Sequence, residues 1–138
     1  MIKLSDINLT KELIEWLKSL PACIIVYLKW AETQKISSNL VIIWKTYDQL
    51  IIGYDFIVCD DEISNLNLYI EKWIIPIILR NNYMAAILKE FNPLRSEWNA
   101  FFYEELDKWS IFYTIVRYLE NYKFPQDNKN LVKNILKI

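Results

Sequence analysis

The chain has 138 residues, 54% of them hydrophobic and 24% charged, with 16 Lys and Arg against 17 Asp and Glu. That length suits one domain, 1–138, with a single core. A net charge of -1 supplies no global field for nucleic acid or an anionic membrane. Histidine is absent, which removes imidazole bases, Ser-His and Cys-His nucleophiles and His-containing zinc sites together. Two cysteines and one glycine, Gly53, exclude four-cysteine zinc sites and glycine-rich phosphate loops.

The opening Met1-Ile2-Lys3-Leu4-Ser5-Asp6 lacks the pattern of a secretory signal. The longest apolar runs, Ala22 to Leu28 and Trp73 to Leu79, are too short to span a bilayer, so a cytoplasmic location is expected. Leu9, Leu13, Trp16, Leu17 and Leu20 fall at helical spacing, predicting a helix from about Asn8 to Leu20 that Pro21 stops. Three runs rich in β-branched and aromatic residues follow: Cys23 to Leu28, Leu40 to Trp44 and Tyr54 to Cys59. Polar breaks at Gln34 to Asn39 and around Asp48 separate them, which predicts an antiparallel meander with Gly53 at a bend or bulge. Cys23 and Cys59 lie inside apolar runs and are expected to be free buried thiols, a cross-sheet pair being the alternative.

Asp60-Asp61-Glu62 closes this region, with Asp61 or Ser64 placed to cap a helix. Residues 66–78 fit two templates. Leu66, Leu68 and Ile70 alternate as in a strand, while Leu66, Ile70, Trp73 and Ile77 fit a helix kinked at Pro76, which is favoured. A short helix is predicted from Tyr83 to Phe91. Asn92-Pro93 then opens a long helix running to Tyr122, with Trp98, Phe102, Leu106, Trp109, Phe112, Val116 and Leu119 as its core stripe. Phe124-Pro125 ends it. Asp127 or Asn128 caps a last helix whose apolar side is Leu131, Val132, Ile135 and Leu136, with Lys129, Lys133 and Lys137 outward. The expected fold is α+β: an N-terminal helix, a small antiparallel sheet of about three strands, and C-terminal helices packed on that sheet.

Carboxylates are the only abundant chemical resource, in two groups: Asp55 with Asp60-Asp61-Glu62, and Glu104-Glu105 with Asp107. Adjacent acids at a strand end or on a polar helix face are ordinarily solvated, so no catalytic residue, metal site or cofactor is expected. Opposite the core stripe, Tyr103, Asp107, Ser110, Thr114, Arg117 and Asn121 recur at steps of three or four and form a predicted solvent-facing strip. Tyr103 beside Glu104 and Asp107 gives an amphipathic anchor next to charges that steer a basic ligand. The lysines of the last helix, with Tyr122 and Phe124, are a poor nucleic-acid surface, because upstream acids cancel their field and Arg is nearly absent. No nucleic-acid or membrane partner is expected.

Of the basic residues 13 are Lys and 3 are Arg, and Ile and Asn abound, preferences that follow AT-rich codons of a bacterial, phage or mobile-element gene. With its many aromatics and its acidic groups, the chain resembles in type the small immunity proteins that bacteria encode beside polymorphic toxins, including those of contact-dependent growth inhibition. The resemblance implies a non-enzymatic monomer that binds a cognate toxin 1:1 and blocks its active site or substrate access. Nuclease toxins with basic clefts suit the acids, and Asp55, Asp60, Asp61, Glu62, Tyr103, Glu104, Glu105 and Asp107 are the expected contact residues. The alternative is a structural or adaptor protein of a phage or mobile element, in which exposed aromatics serve self-assembly.

Overall fold

The computed structural model of the protein describes residues 1–28, 31–43, 54–60, 66–80, 86, 88–90, 92, 94 and 98–135. Its elements are β1 (Ile2–Lys3), α1 (Ile7–Leu17), β2 (Ile24–Tyr27), β3 (Gln34–Ser37), β4 (Leu40–Ile43), β5 (Phe56–Cys59), α2 (Leu66–Glu71), β6 (Ile75–Leu79), β7 (Phe101–Tyr103), α3 (Lys108–Tyr122) and α4 (Pro125–Ile135). The α+β class holds, but the sheet is neither small nor antiparallel. Among the described residues, seven strands lie in the order β3-β4-β2-β1-β5-β6-β7. Of these, only β3 and β4 pair antiparallel, and every other neighbouring pair is parallel. Counted among themselves, the parallel strands run third, second, first, fourth, fifth, sixth, the order of a doubly wound sheet that reverses between β1 and β5.

The three anticipated strands exist, with different partners. β2 pairs in parallel with β4, and β5 lies on the far side of β1. The antiparallel partner of β4 is the polar segment Gln34–Ser37, expected to be a break; it forms an edge strand with exposed Gln34 and Lys35. The kinked helix over 66–78 is half right. Residues 66–71 are helical, whereas Ile75–Leu79 is a fully buried strand between β5 and β7, with Pro76 removing one ladder donor. The long helix begins at Lys108, because Phe101, Phe102 and Tyr103 are buried in succession as β7. Of the predicted helix from Tyr83 to Phe91, residues 88–90 are not helical, and Glu90 bridges to Ala100. Gly53, Asp61, Ser64, Pro93, Leu136 and Lys137 lie outside the described residues.

Local chemistry fixes the helix ends. The Asp6 carboxylate accepts from the Leu9 N–H at 3.0 Å and starts α1, which buries Leu9, Leu13, Ile14 and Leu17. The Asn39 side-chain amide donates to the carbonyls of Leu17, Leu20 and Ala22, so the turn between β3 and β4 satisfies the end of α1. Asp107 caps α3 by accepting from the Ser110 N–H at 2.7 Å. Strand register places Phe56, Ile75, Ile77 and Phe101 on one face, where the Tyr118 ring of α3 lies 4.8 Å from Phe56 and 5.6 Å from Phe101. Every residue of β5, β6 and β7 is buried, so this half of the sheet is covered on both faces.

Two features carry measurable strain or linkage. After α2 the chain turns through Trp73 at φ 66, with Trp73 N–H donating to Ile70 and Ile74 N–H to Tyr69, a helix stop that favours glycine. Trp73→Gly is therefore expected to be more stable than Trp73→Ala by about 1 kcal/mol in chemical denaturation, since only the backbone conformation separates the two.

The Met1 amino nitrogen is buried and donates to the Phe56 carbonyl at 2.9 Å. Burial lowers its pKa from 8.0 to about 5, against the opposing pull of Asp55. Above pH 8 the amine is neutral folded or unfolded and contributes nothing. Between pH 8 and 5 the unfolded chain holds more protons, so stability falls as pH falls. For a chain whose first residue is Met1, the loss amounts to about 4 kcal/mol by pH 5, at roughly 1.4 kcal/mol per pH unit. No histidine titrates in that window. Denaturation midpoints across pH 5 to 8 should show this slope, and a chain extended before Met1, with an amide there, should lack it.

Candidate functional site

The expected contact acids do not form one surface. Asp55 is exposed just before β5, and its main-chain carbonyl accepts from Ile75 N–H and the Tyr118 hydroxyl. Asp60 stands at the other end of the same strand and is fully buried. Its carboxylate accepts from the Ser5 N–H at 2.7 Å and the Ser5 hydroxyl at 2.5 Å. Asp61 and Glu62 lie outside the described residues. The carboxyl ends of β1 and β5 are where a doubly wound sheet ordinarily opens a crevice for an anionic ligand. Here the Ser5 N–H at that crevice is taken by the chain's own carboxylate.

Tyr103 is not on a solvent-facing strip. It is 1% exposed in β7 and donates its hydroxyl to the Cys59 carbonyl at 2.6 Å. Glu104 is exposed but clamped. Arg80 reaches it at 2.6 Å, contacts Glu90 at 2.8 Å, and lies 5.3 Å from the Phe102 ring centroid. The hydrogen bond from Arg80 holds the Glu104 carboxyl below the usual carboxylate range, and those to Glu104 and Glu90 raise the Arg80 guanidinium. Asp107 is committed to capping α3. Among the described acids of the expected set, Asp55 and Glu105 remain exposed, with no side chain engaging their carboxylates.

The buried face of α3 is rotated relative to the sequence reading. Its buried side is Ile111, Thr114, Ile115, Tyr118 and Asn121, so Thr114 and Asn121 of the supposed solvent strip are inside. Thr114 is accommodated by donating its hydroxyl to the Ser110 carbonyl at 2.9 Å. Of the supposed core stripe, Trp109 is 70% exposed, whereas Phe112, Val116 and Leu119 are half-buried against the core; Tyr113, outside that stripe, is 64% exposed. Trp16 of α1 meets this face, its ring centroid 4.5 Å from Trp109 and 5.4 Å from Phe112. Lys108 lies over Trp16 at 4.9 Å and Arg117 over Tyr113 at 5.8 Å. The result is a ledge of four rings edged by two cations, built by α1 and α3 together. The rotation arises because Trp98 and Phe102, taken as the start of the stripe, precede the helix and carry no helical phase.

The thiols also divide. Cys59 is buried and free, with burial first and Asp60 second pushing it up to about 12; Cys23 is free but exposed, not buried as expected. Among the described residues, no three Cys, Asp or Glu side chains converge on a point that could hold a metal ion. None of the described helices is long and apolar enough to cross a membrane.

The contrast between the acids sets up a stability test. Asp60→Ala removes a buried carboxylate and leaves the Ser5 N–H and hydroxyl without it, at an expected cost of about 3 kcal/mol. Glu104→Ala, on a solvent-screened cluster, is expected to cost at most about 1 kcal/mol. Urea midpoints of the two variants should separate accordingly. Comparison with protein-family models and with characterised proteins gives no match for this chain.

Proposed function

We propose that this chain is a non-enzymatic immunity or inhibitor protein that binds a cognate bacterial toxin domain and blocks its active site or access to it. The observation that supports this most is the outward aromatic face of α3, with Trp109 and Tyr113 exposed beside Trp16 and Phe112. A helix that points polar Thr114 and Asn121 inward and tryptophan outward presents more apolar surface than solubility calls for. Large rigid rings next to cations are the residue types that dominate binding energy when a partner covers them. Exposed Asp55 and Glu105 are available to set the association rate with a basic partner, while the rings set the lifetime of the complex.

The contact surface of this reading therefore moves from the acid clusters to the ledge made by α1 and α3. Glu104, Asp60, Asp107 and Tyr103 act as framework instead. Co-expression with the toxin domain encoded by the adjacent gene should give a 1:1 complex and restore growth. Substituting Trp109→Ala and Tyr113→Ala together should weaken the complex by about a hundredfold without unfolding the chain. An unchanged affinity would remove the ledge from the interface. A chain that sediments alone as a defined homo-oligomer through this face would point to self-assembly in place of toxin capture.

A further inference from the structure

At the amino ends of β1, β2 and β5, away from Trp109 and Tyr113, a half-open cavity of about 340 Å³ lies between Met1, the start of β5 and the end of α3. Tyr54 and Tyr122 line it with accessible ring surface, backed by Phe56 and Tyr118, which are 6% and 1% exposed. Phe56 and Tyr118 are 4.8 Å apart between centroids, and Tyr118 and Tyr122 6.2 Å, so the exposed Tyr122 ring rests on a buried aromatic cluster. Asp55 lines the same cavity and is the only acid among its described lining residues. After burial, its charge is the next influence raising the Tyr118 hydroxyl, and it also favours the protonated Met1 amine. Neither lysine nor arginine occurs among the described lining residues.

Ring faces carry negative potential, and a carboxylate beside them adds a full charge, so the lining attracts cations and repels anions. A methylated ammonium spreads its charge over its methyls and is held by ring faces without needing a hydrogen-bond acceptor for each substituent. The volume is at the small end for ligand sites, enough for a compact head group. We propose that this cavity binds a methylated ammonium head group, with the tyrosine rings as cation-π walls and the Asp55 carboxylate as counter-charge. The proposal does not rest on the ledge at the other end of α3 and shares with the toxin-binding reading the single residue Asp55.

Calorimetric titration of the intact protein with choline, and with the uncharged isostere in which carbon replaces the ammonium nitrogen, tests it. Choline should bind saturably and at least about tenfold more tightly than the isostere, the factor that a desolvated cation-π contact with a counter-charge supplies. Asp55→Asn should weaken choline about tenfold and Tyr122→Leu about fivefold, both variants keeping the wild-type circular dichroism spectrum. Equal binding of the isostere would make the site a plain apolar cavity and overturn the proposal. Unchanged affinity in Asp55→Asn, or no saturable choline binding by the folded protein, would overturn it as well.

Discussion

Two residues, Ile2 and Lys3, join the halves of the sheet. On one side of β1 lie β2, β4 and β3, and on the other β5, β6 and β7. Ile2 pairs with both Val26 and Val58, and Lys3 with both Tyr27 and Cys59. A strand this short has few ladder bonds of its own, so its ends carry the connection. At one end the Met1 amine donates to Phe56 and the Met1 carbonyl accepts from Val58; at the other, Ser5 is bonded to Asp60. The protein thus buries an amine and a carboxylate at the two ends of one pair of strands. Both burials are costly in isolation and are tolerated because each group is hydrogen-bonded.

That constraint also decides which surfaces remain for function. Asp60 is consumed by the joint, Asp107 by the α3 cap, and Glu104 by Arg80. Three of the five described acids that stand out in the sequence are thus structural. What is left outside is aromatic, and it is left there because α3 docks through Ile111, Ile115 and Tyr118 with Thr114 and Asn121 between them. Docking through that face turns Trp109 and Tyr113 away from the sheet, where Trp16 meets Trp109 and Arg117 lies over Tyr113.

Much of the first half of the chain was legible. The helix ending before Pro21 and the runs that became β2, β4 and β5 were readable from spacing and β-branched content, because each is long enough to show its period. Their partners were not, since pairing depends on β1, whose two residues carry no periodic signal, and on β3, whose exposed edge position suits polar residues. The second half misled for a different reason. Strands buried on both faces, such as Ile75–Leu79 and Phe101–Tyr103, are continuously apolar and match a helix as well as a strand. Running the helical phase backward through Trp98 and Phe102 then rotated the buried face of α3 in the reading, so that Thr114 and Asn121 were placed outside and Trp109 inside. Asp55 and Glu105 were found as exposed acids, whereas the ledge at Trp109 was taken for core and so missed. An excess of tryptophan over what a core of this size needs was the one signal pointing to it.

The position of β1 also bears on how the chain assembles. The central strand is synthesised before any of its neighbours, and its second partner arrives 55 residues later, as the spacing of Met1 and Phe56 shows. Until then Ile2 has only β2 to pair with, and a nascent chain of that length offers a half-finished sheet with one open side. Closure of the sheet is a long-range event that local helix formation cannot hasten, which places this protein among slow folders for its size.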